Sequence, residues 1–173
     1  MIEIHYYQKC RGVKRMGNIF TLRQYNLMEH QYMVGMLFRH FASIEDVPYD
    51  INIWDIVLHH DIVEVVTQDL PWPVKNFNQV TKESWRLIEN ELIKKHFQLE
   101  KYSDESIKSI LTPRQYALLK ACDTLDLLIF VKEEKSYGNC SKEILEVENN
   151  CLKIFNSLEF DFPKIVKFIK DYE

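Results

Sequence analysis

Apolar positions along this chain recur three and four residues apart, and nowhere do they alternate strictly with polar ones as a half-buried strand requires. The first helix is expected over about residues 3–16, stopping near Gly17, with a loop from Asn18 to Met28. A second helix begins near Glu29-His30, with Met33, Met36, Leu37 and Phe41 on one side. Pro48 and Asp50 interrupt before a third, whose Ile53, Ile56 and Val57 lead a stripe running to about Thr67. A fourth fits about 81–98, with Trp85, Ile88, Leu92 and Ile93 on one face. The segment Asp69-Leu-Pro-Trp-Pro-Val-Lys75 is not helical throughout, because two prolines break it. Thr112-Pro113 is the clearest helix start: threonine caps, proline suits the first turn, and Gln115 completes the cap. That helix runs through Asp123 to about Ser136 and stops at Gly138, and two more fit about 141–157 and 163–171. The pattern predicts an all-α fold of about six to seven helices with short connections.

Scarcity of glycine (4) and proline (5) supports that reading over a many-turned sandwich or barrel. At 173 residues the chain is expected to form a single domain, 1–173, large enough for a sizeable core. A net charge of −4, with no basic tail or arginine stripe, argues against binding polymeric nucleic acid. Cys10, Cys122, Cys140 and Cys151 form no CxxC pair and read as reduced thiols. No secretory signal or membrane-spanning run is present, so no membrane partner and a soluble cytoplasmic location are expected.

Chemistry concentrates at His60-Asp61, followed by Glu64. A helix burying Ile53, Ile56 and Val57 would bury His60 and Glu64 with them. Buried charge must be paired or bound to a metal, so the stretch asks for a cation, and a cation beside carboxylates suggests hydrolysis. His30, His60, Asp61 and Asp123 are the candidate metal ligands, on three expected helices. Mixed imidazole and carboxylate donors suit one divalent ion such as Co, Mn, Zn, Fe or Ni, with open positions for water and a substrate oxygen. Such an ion lowers the pKa of a bound water and activates it as a nucleophile.

These residues, in the order H…HD…D, resemble the signature of HD-domain metal-dependent phosphohydrolases. Arg15, Arg23, Asn26, Glu29-His30, HHDIVEVVTQDLPWPVK at 59–75 and KACDTL at 120–125 are similar to the compact 5′-deoxynucleotidase (YfbR-like) branch, over roughly residues 10–138. The resemblance implies an HD-domain helical bundle, and an enzyme removing the 5′-phosphate from (deoxy)nucleoside monophosphates by metal-activated water. It implies His30, His60, Asp61 and Asp123 as ligands, Glu64 and Asp69 at the catalytic water and leaving group, and Arg15 and Lys75 on substrate phosphate. The nucleotidases carry tryptophan where Met16 stands, a residue that helps select deoxyribose, and Trp72 stands between prolines where a small residue is expected. Met16, Trp72 and Pro73 are therefore candidate sugar and base contacts. Short phage relatives cleave dATP to deoxyadenosine and triphosphate, which makes a dNTP triphosphohydrolase the alternative. A non-catalytic nucleotide-binding HD module is a third reading, and retention of Glu64 and Asp69 together counts against it. Relatives of this type are commonly homodimers, and the same is expected here.

Other polar residues read more plainly. His59 is structural or second to the ligands, and His40 and His96 are surface residues. Asp126 supports a neighbour rather than binding metal. Arg23 and Asn26 either order the loop or touch substrate. Lys132-Glu133-Glu134-Lys135 reads as a solvated helix face, and the aromatics at 20, 25, 32, 38 and 41 as core or dimer contact.

Overall fold

The computed structural model describes residues 2–75, 77–97, 100–158 and 161–171, with the side chains of Trp72 and Pro73 outside that description. Its α-helices are α1 (Ile4–Cys10), α2 (Leu27–Ile44), α3 (Ile51–Leu58), α4 (Glu64–Thr67), α5 (Trp72–Lys75), α6 (Gln79–Phe97), α7 (Asp104–Ile110), α8 (Pro113–Ser136), α9 (Lys142–Leu158) and α10 (Pro163–Asp171), with a 3₁₀ turn at Glu100–Tyr102. Among the described residues the only β-type pairing is one isolated bridge, Lys14 to Asn26. The all-α class holds, with more segments than the six to seven expected because α4 and α5 are single turns and α7 was missed.

α8 is the central element, packed between α2 and α9. It starts on the expected capping box: Thr112 Oγ1 accepts the Gln115 N–H at 3.2 Å, and Gln115 Oε1 accepts the Thr112 N–H at 2.8 Å. Gly138, at φ +95°, ends the segment in a conformation open to glycine. The core between α2, α8 and α9 is built on Val34, Phe38, Phe41, Leu118, Leu125 and Phe155, all at most 1% exposed; truncating either α2 phenylalanine costs about 3–5 kcal/mol.

α3 lies close against α2 at Gly35. A Cβ there would sit 3.1 Å from Leu58 Cδ1, and Trp54 Nε1 donates to the Gly35 carbonyl at 3.3 Å. This close approach delivers the residues after Leu58 to the His30 level of α2.

Three expected boundaries are corrected and one helix is added. The first helix ends at Cys10, and the chain to Asn26 folds back on itself through Arg15 N to Tyr25 O (2.8 Å) and Leu27 N to Val13 O (3.0 Å). α2 begins two residues early because Asn26 Oδ1 caps it through the Glu29 N–H at 3.0 Å. The third helix stops at Leu58 instead of reaching Thr67. From His59 onward the backbone tightens to i→i+3 bonds, Ile62 N to His59 O at 3.0 Å and Glu64 N to Asp61 O at 3.0 Å, and becomes α-helical again at Glu64. α7, capped by Ser103 through the Ser106 N–H, was not anticipated: its seven residues bury only Ile107 completely, too little for a visible period.

Candidate metal centre and active site

His30 lies in the buried stripe of α2, with Leu27, Val34, Phe38 and Phe41, and is itself 0% exposed. An imidazole in a core position needs partners for both nitrogens. Nδ1 has one: it donates to Asp126 Oδ2 at 2.7 Å, and the Tyr25 hydroxyl donates to the same oxygen at 2.5 Å. Nε2 has no hydrogen-bond partner among the described residues, and sits 3.4 Å from both Asp61 Oδ2 and Asp123 Oδ1.

His60 is built the same way from a different element. The Val57 carbonyl, 2.8 Å away, can only accept, so Nδ1 carries the proton and Nε2 presents its lone pair. That nitrogen is also buried without a partner, 3.5 Å from Asp61 Oδ2. One donor atom each from His30, His60, Asp61 and Asp123 lies within 4.8 Å of all the others. Two orphaned imidazole nitrogens facing two carboxylates fit a divalent first-row cation by donor type, and the Nδ1 acceptors fix both rings for that purpose. Burial and the Arg15 charge push the His30 imidazole down, but Asp126, Asp61 and Asp123 outweigh them and hold it above its ordinary value. Burial, helped by the His30 and Lys120 charges, outweighs Asp61 and Asp123 and pushes the His60 imidazole down.

The remaining charges surround this cluster. Arg15, 14% exposed at its side chain, donates from Nη1 to Asp61 Oδ2 at 2.9 Å and Glu64 Oε2 at 3.1 Å. Lys75 Nζ lies 3.6 Å from Glu64 Oε1 and 3.3 Å from Glu89 Oε1. Burial, reinforced by the Asp61 and Asp69 charges, pushes the Glu64 carboxyl above the usual carboxylate range, while Arg15 and Lys75 pull against it. A cavity of about 160 Å³ opens here, lined by His60, Asp61, Glu64 and Lys75 and by Tyr116 and Lys120 of α8.

Asp69 is not one of the four grouped donors, but its charge reaches Glu64. Its Oδ2 accepts the Met16 N–H at 2.9 Å, and Met16 holds φ +53°. The pair ties the Arg15-Met16 loop to the turn before α5. The suggested contacts through Trp72 and Pro73 fall on side chains outside the described residues.

Several polar residues take roles their surroundings assign. His59 donates to the Asp55 carbonyl at 2.8 Å between the rings of Tyr7 and Tyr102, a structural position. His96, expected at the surface, is half-buried with Nδ1 3.4 Å from the Tyr6 hydroxyl. Arg23 orders its loop, pairing with Glu29 at 2.6 Å and Glu133 at 2.8 Å, as Asn26 does by capping α2. Phe20 and Tyr32 are exposed, whereas Tyr25, Phe38 and Phe41 are buried.

Glu134 is the clearest correction. Expected on a solvated face, it is 0% exposed and accepts the Leu22 N–H at 2.7 Å, the Arg23 N–H at 3.0 Å and Asn139 Nδ2 at 2.7 Å. Sequence reading also missed Tyr25 as the hydroxyl on Asp126. Neither carries a local signal, since the Leu22 and Arg23 amides and the Asp126 carboxylate lie about a hundred residues from Glu134 and Tyr25.

Residues 4–172 match the family model described as 5′-deoxynucleotidase YfbR-like. The 5′-deoxynucleotidase of Shewanella oneidensis is 26% identical, over 76% of this chain and 73% of its own length. The 5′-deoxynucleotidase YfbR of Salmonella arizonae is 26% identical, over 94% of this chain and 89% of its own. Among solved structures, the HD phosphohydrolase DatZ of cyanophage S-2L, bound to dA and one catalytic Zn2+ ion, superposes with a TM-score of 0.70 at 20% identity, over 96% of this chain and 98% of its own. An HD-domain phosphohydrolase from Listeria innocua gives 0.77 at 19% identity, over 96% and 83%. These likenesses establish the HD fold.

Proposed function

Because the chain belongs to the YfbR-like 5′-deoxynucleotidase family, we propose that it is a metal-dependent phosphohydrolase removing the 5′-phosphate from (deoxy)nucleoside monophosphates. The observation that carries the reading is the set of two orphaned imidazole nitrogens and two carboxylates within 4.8 Å of one another, with Arg15 on Asp61 and Glu64, and with His60 and Asp61 lining a cavity together with Glu64 and Lys75. The curated relatives named above act, by name, as 5′-deoxynucleotidases.

In this reading His30, His60, Asp61 and Asp123 hold one divalent ion: cobalt, manganese, zinc, iron or nickel. When bound, the ion supplies Lewis acidity toward a phosphoryl oxygen and acidifies water. Arg15 and Lys75 hold phosphoryl oxygens, the guanidinium through paired N–H groups and the ammonium as a point charge. Glu64, with its raised carboxyl, and Asp69 exchange protons with the attacking water and the departing 5′-oxygen. Met16, tied to Asp69 through its backbone and packed in part against the Tyr25 and Phe130 cluster, offers the rest of its side chain to the sugar.

Metal-loaded protein incubated with dAMP, dGMP, dCMP, TMP and dUMP releases inorganic phosphate if this is right. Silence on all five, with the metal verified, defeats it. Intact triphosphate released from a dNTP, without phosphate from monophosphates, replaces it with the triphosphohydrolase reading.

The proposal extends to residues 1–173 as a single HD domain, acting as a homodimer in the cytoplasm without polymeric nucleic acid. The family match over residues 4–172 supports the single domain, and no helix among the described residues is long and apolar enough to cross a membrane. A light-scattering mass of one chain would remove the dimer.

A further inference from the structure

Lys120 lies one turn before Asp123 on α8 and has no part in the roles given so far. Its Nζ is 3.6 Å from Asp123 Oδ2, beyond hydrogen-bond reach, and it donates no hydrogen bond among the described residues. Its side chain is 47% exposed, and it lines the cavity that His60, Asp61 and Glu64 head. Tyr116, one turn earlier on the same face, stands beneath it, with the ammonium 5.9 Å from the ring centroid. Lys75 lines the same cavity, steadied by Glu89, whose Oε1 also accepts the Trp85 indole N–H at 2.7 Å. Two ammonium groups from different elements thus line one cavity beside the four-donor cluster.

We propose that Lys120 is a phosphoryl-binding residue, and that it and Lys75 hold a phosphate monoester dianion between them inside this cavity, on the α8 side of the donor cluster. The proposal rests on the nucleotidase reading. Lys75 already shares its charge with Glu64 and Glu89, whereas the ion pair of Lys120 is to Asp123. Asp123 is one of the four cluster donors, so a cation held there takes up its negative charge and leaves the ammonium in need of an anion. A compact dianion with three terminal oxygens can meet both lysines that line the cavity. The competing role, a counter-ion that merely orients Asp123, is poorly served by a 3.6 Å contact without a directional bond.

The test uses the metal-loaded full chain, with Lys120→Gln and Lys120→Arg beside wild type. Four quantities are measured: KM and kcat for a deoxynucleoside monophosphate, the inhibition constant of inorganic phosphate, zinc affinity by competition with a chromophoric chelator, and the melting temperature. Lys120→Gln is expected to raise KM and the phosphate inhibition constant together by about 10- to 100-fold, the worth of one charge-assisted hydrogen bond. Its kcat changes less, its zinc affinity stays within about threefold, and Lys120→Arg recovers part of the loss. KM and phosphate inhibition unchanged in Lys120→Gln overturn the assignment, and so does a fall in zinc affinity that matches the loss of activity. A wild type inactive on every monophosphate sinks the nucleotidase reading instead. Lys120 is then judged by calorimetry of inorganic phosphate, which needs no turnover: binding weakened in Lys120→Gln supports it, and equal or absent binding overturns it.

Discussion

His30 Nδ1 and Asp126 Oδ2 lie 2.7 Å apart in a pocket that leaves the imidazole 0% and the acid 4% exposed. The contact fixes the proton on Nδ1 and so frees Nε2 for the cluster. Tyr25 adds its hydroxyl to the same carboxylate oxygen, and its backbone carbonyl accepts the Arg15 N–H, so one residue joins the histidine's orientation to the loop bearing the arginine. Asp126→Ala is expected to weaken divalent-metal binding by about 10- to 100-fold, the usual consequence of removing a carboxylate behind a ligand histidine. Asp126→Asn, which keeps an acceptor, loses less. Chelator competition on the folded variants is the measurement, and an affinity for Asp126→Ala equal to wild type would refute the role.

The loop between α1 and α2 is clamped a second time, farther along α8. Glu134 takes two consecutive backbone N–H groups from Leu22 and Arg23. Glu134→Ala removes the charged acceptor of both donors in a part-buried site, a loss of about 1–3 kcal/mol. Urea denaturation should show that loss, hydrogen exchange at the Leu22 and Arg23 amides should accelerate, and KM should rise because Arg15 and Met16 are less well held. Unchanged exchange at those two amides would contradict the clamp.

These contacts show where sequence reading stops. The start of α8 was legible because Thr112, Pro113 and Gln115 lie within one turn of each other and act locally. His30, His60, Asp61 and Asp123 were legible by residue type and motif, since few other chemistries use such a set. Glu134 was not: four consecutive charged residues on a helix look alike until the fold shows which one faces a loop 111 residues upstream. The overshoot of the third helix has another cause. Apolar spacing continues through Ile62, Val65 and Val66, but His59 and His60 commit their Nδ1 groups to backbone carbonyls, and the chain tightens to i→i+3 bonding. That irregularity turns the doublet and Glu64 toward one site.

Glu64 is separable from the four-donor cluster, because its hydrogen-bonded contact is to Arg15 rather than to the cluster nitrogens. Glu64→Gln is expected to retain metal and substrate binding while kcat falls by about 10²- to 10⁴-fold, the range for a lost general acid or base. Steady-state kinetics with metal content measured on the same sample decide it. Turnover equal to wild type removes Glu64 from proton transfer, and loss of the metal places it among the ligands.

Asp55 joins the end of α3 to the 3₁₀ turn ahead of α7, accepting from Lys101 Nζ at 2.6 Å and the Tyr102 hydroxyl at 2.8 Å. Tyr102 also lines the cavity, so this joint sets one of its walls. Burial alone would push the Asp55 carboxyl up, but the Lys101 and Tyr102 hydrogen bonds outweigh it and hold it below its ordinary value. A group whose pKa is lower folded than unfolded stabilises the fold above the unfolded value, near ~3.9, and loses that contribution as pH falls through the folded value. Asp55→Asn should therefore destabilise the protein at neutral pH by roughly 0.5–1.5 kcal/mol, after allowance for solvent screening of partly exposed partners. The gap between variant and wild type should narrow as pH drops below about 4, where the wild-type carboxylate takes up its proton. Urea unfolding at a series of pH values tests both parts. A gap independent of pH would mean that Asp55 contributes by packing alone, and no gap at pH 7 would mean that the joint does not stabilise this wall of the cavity.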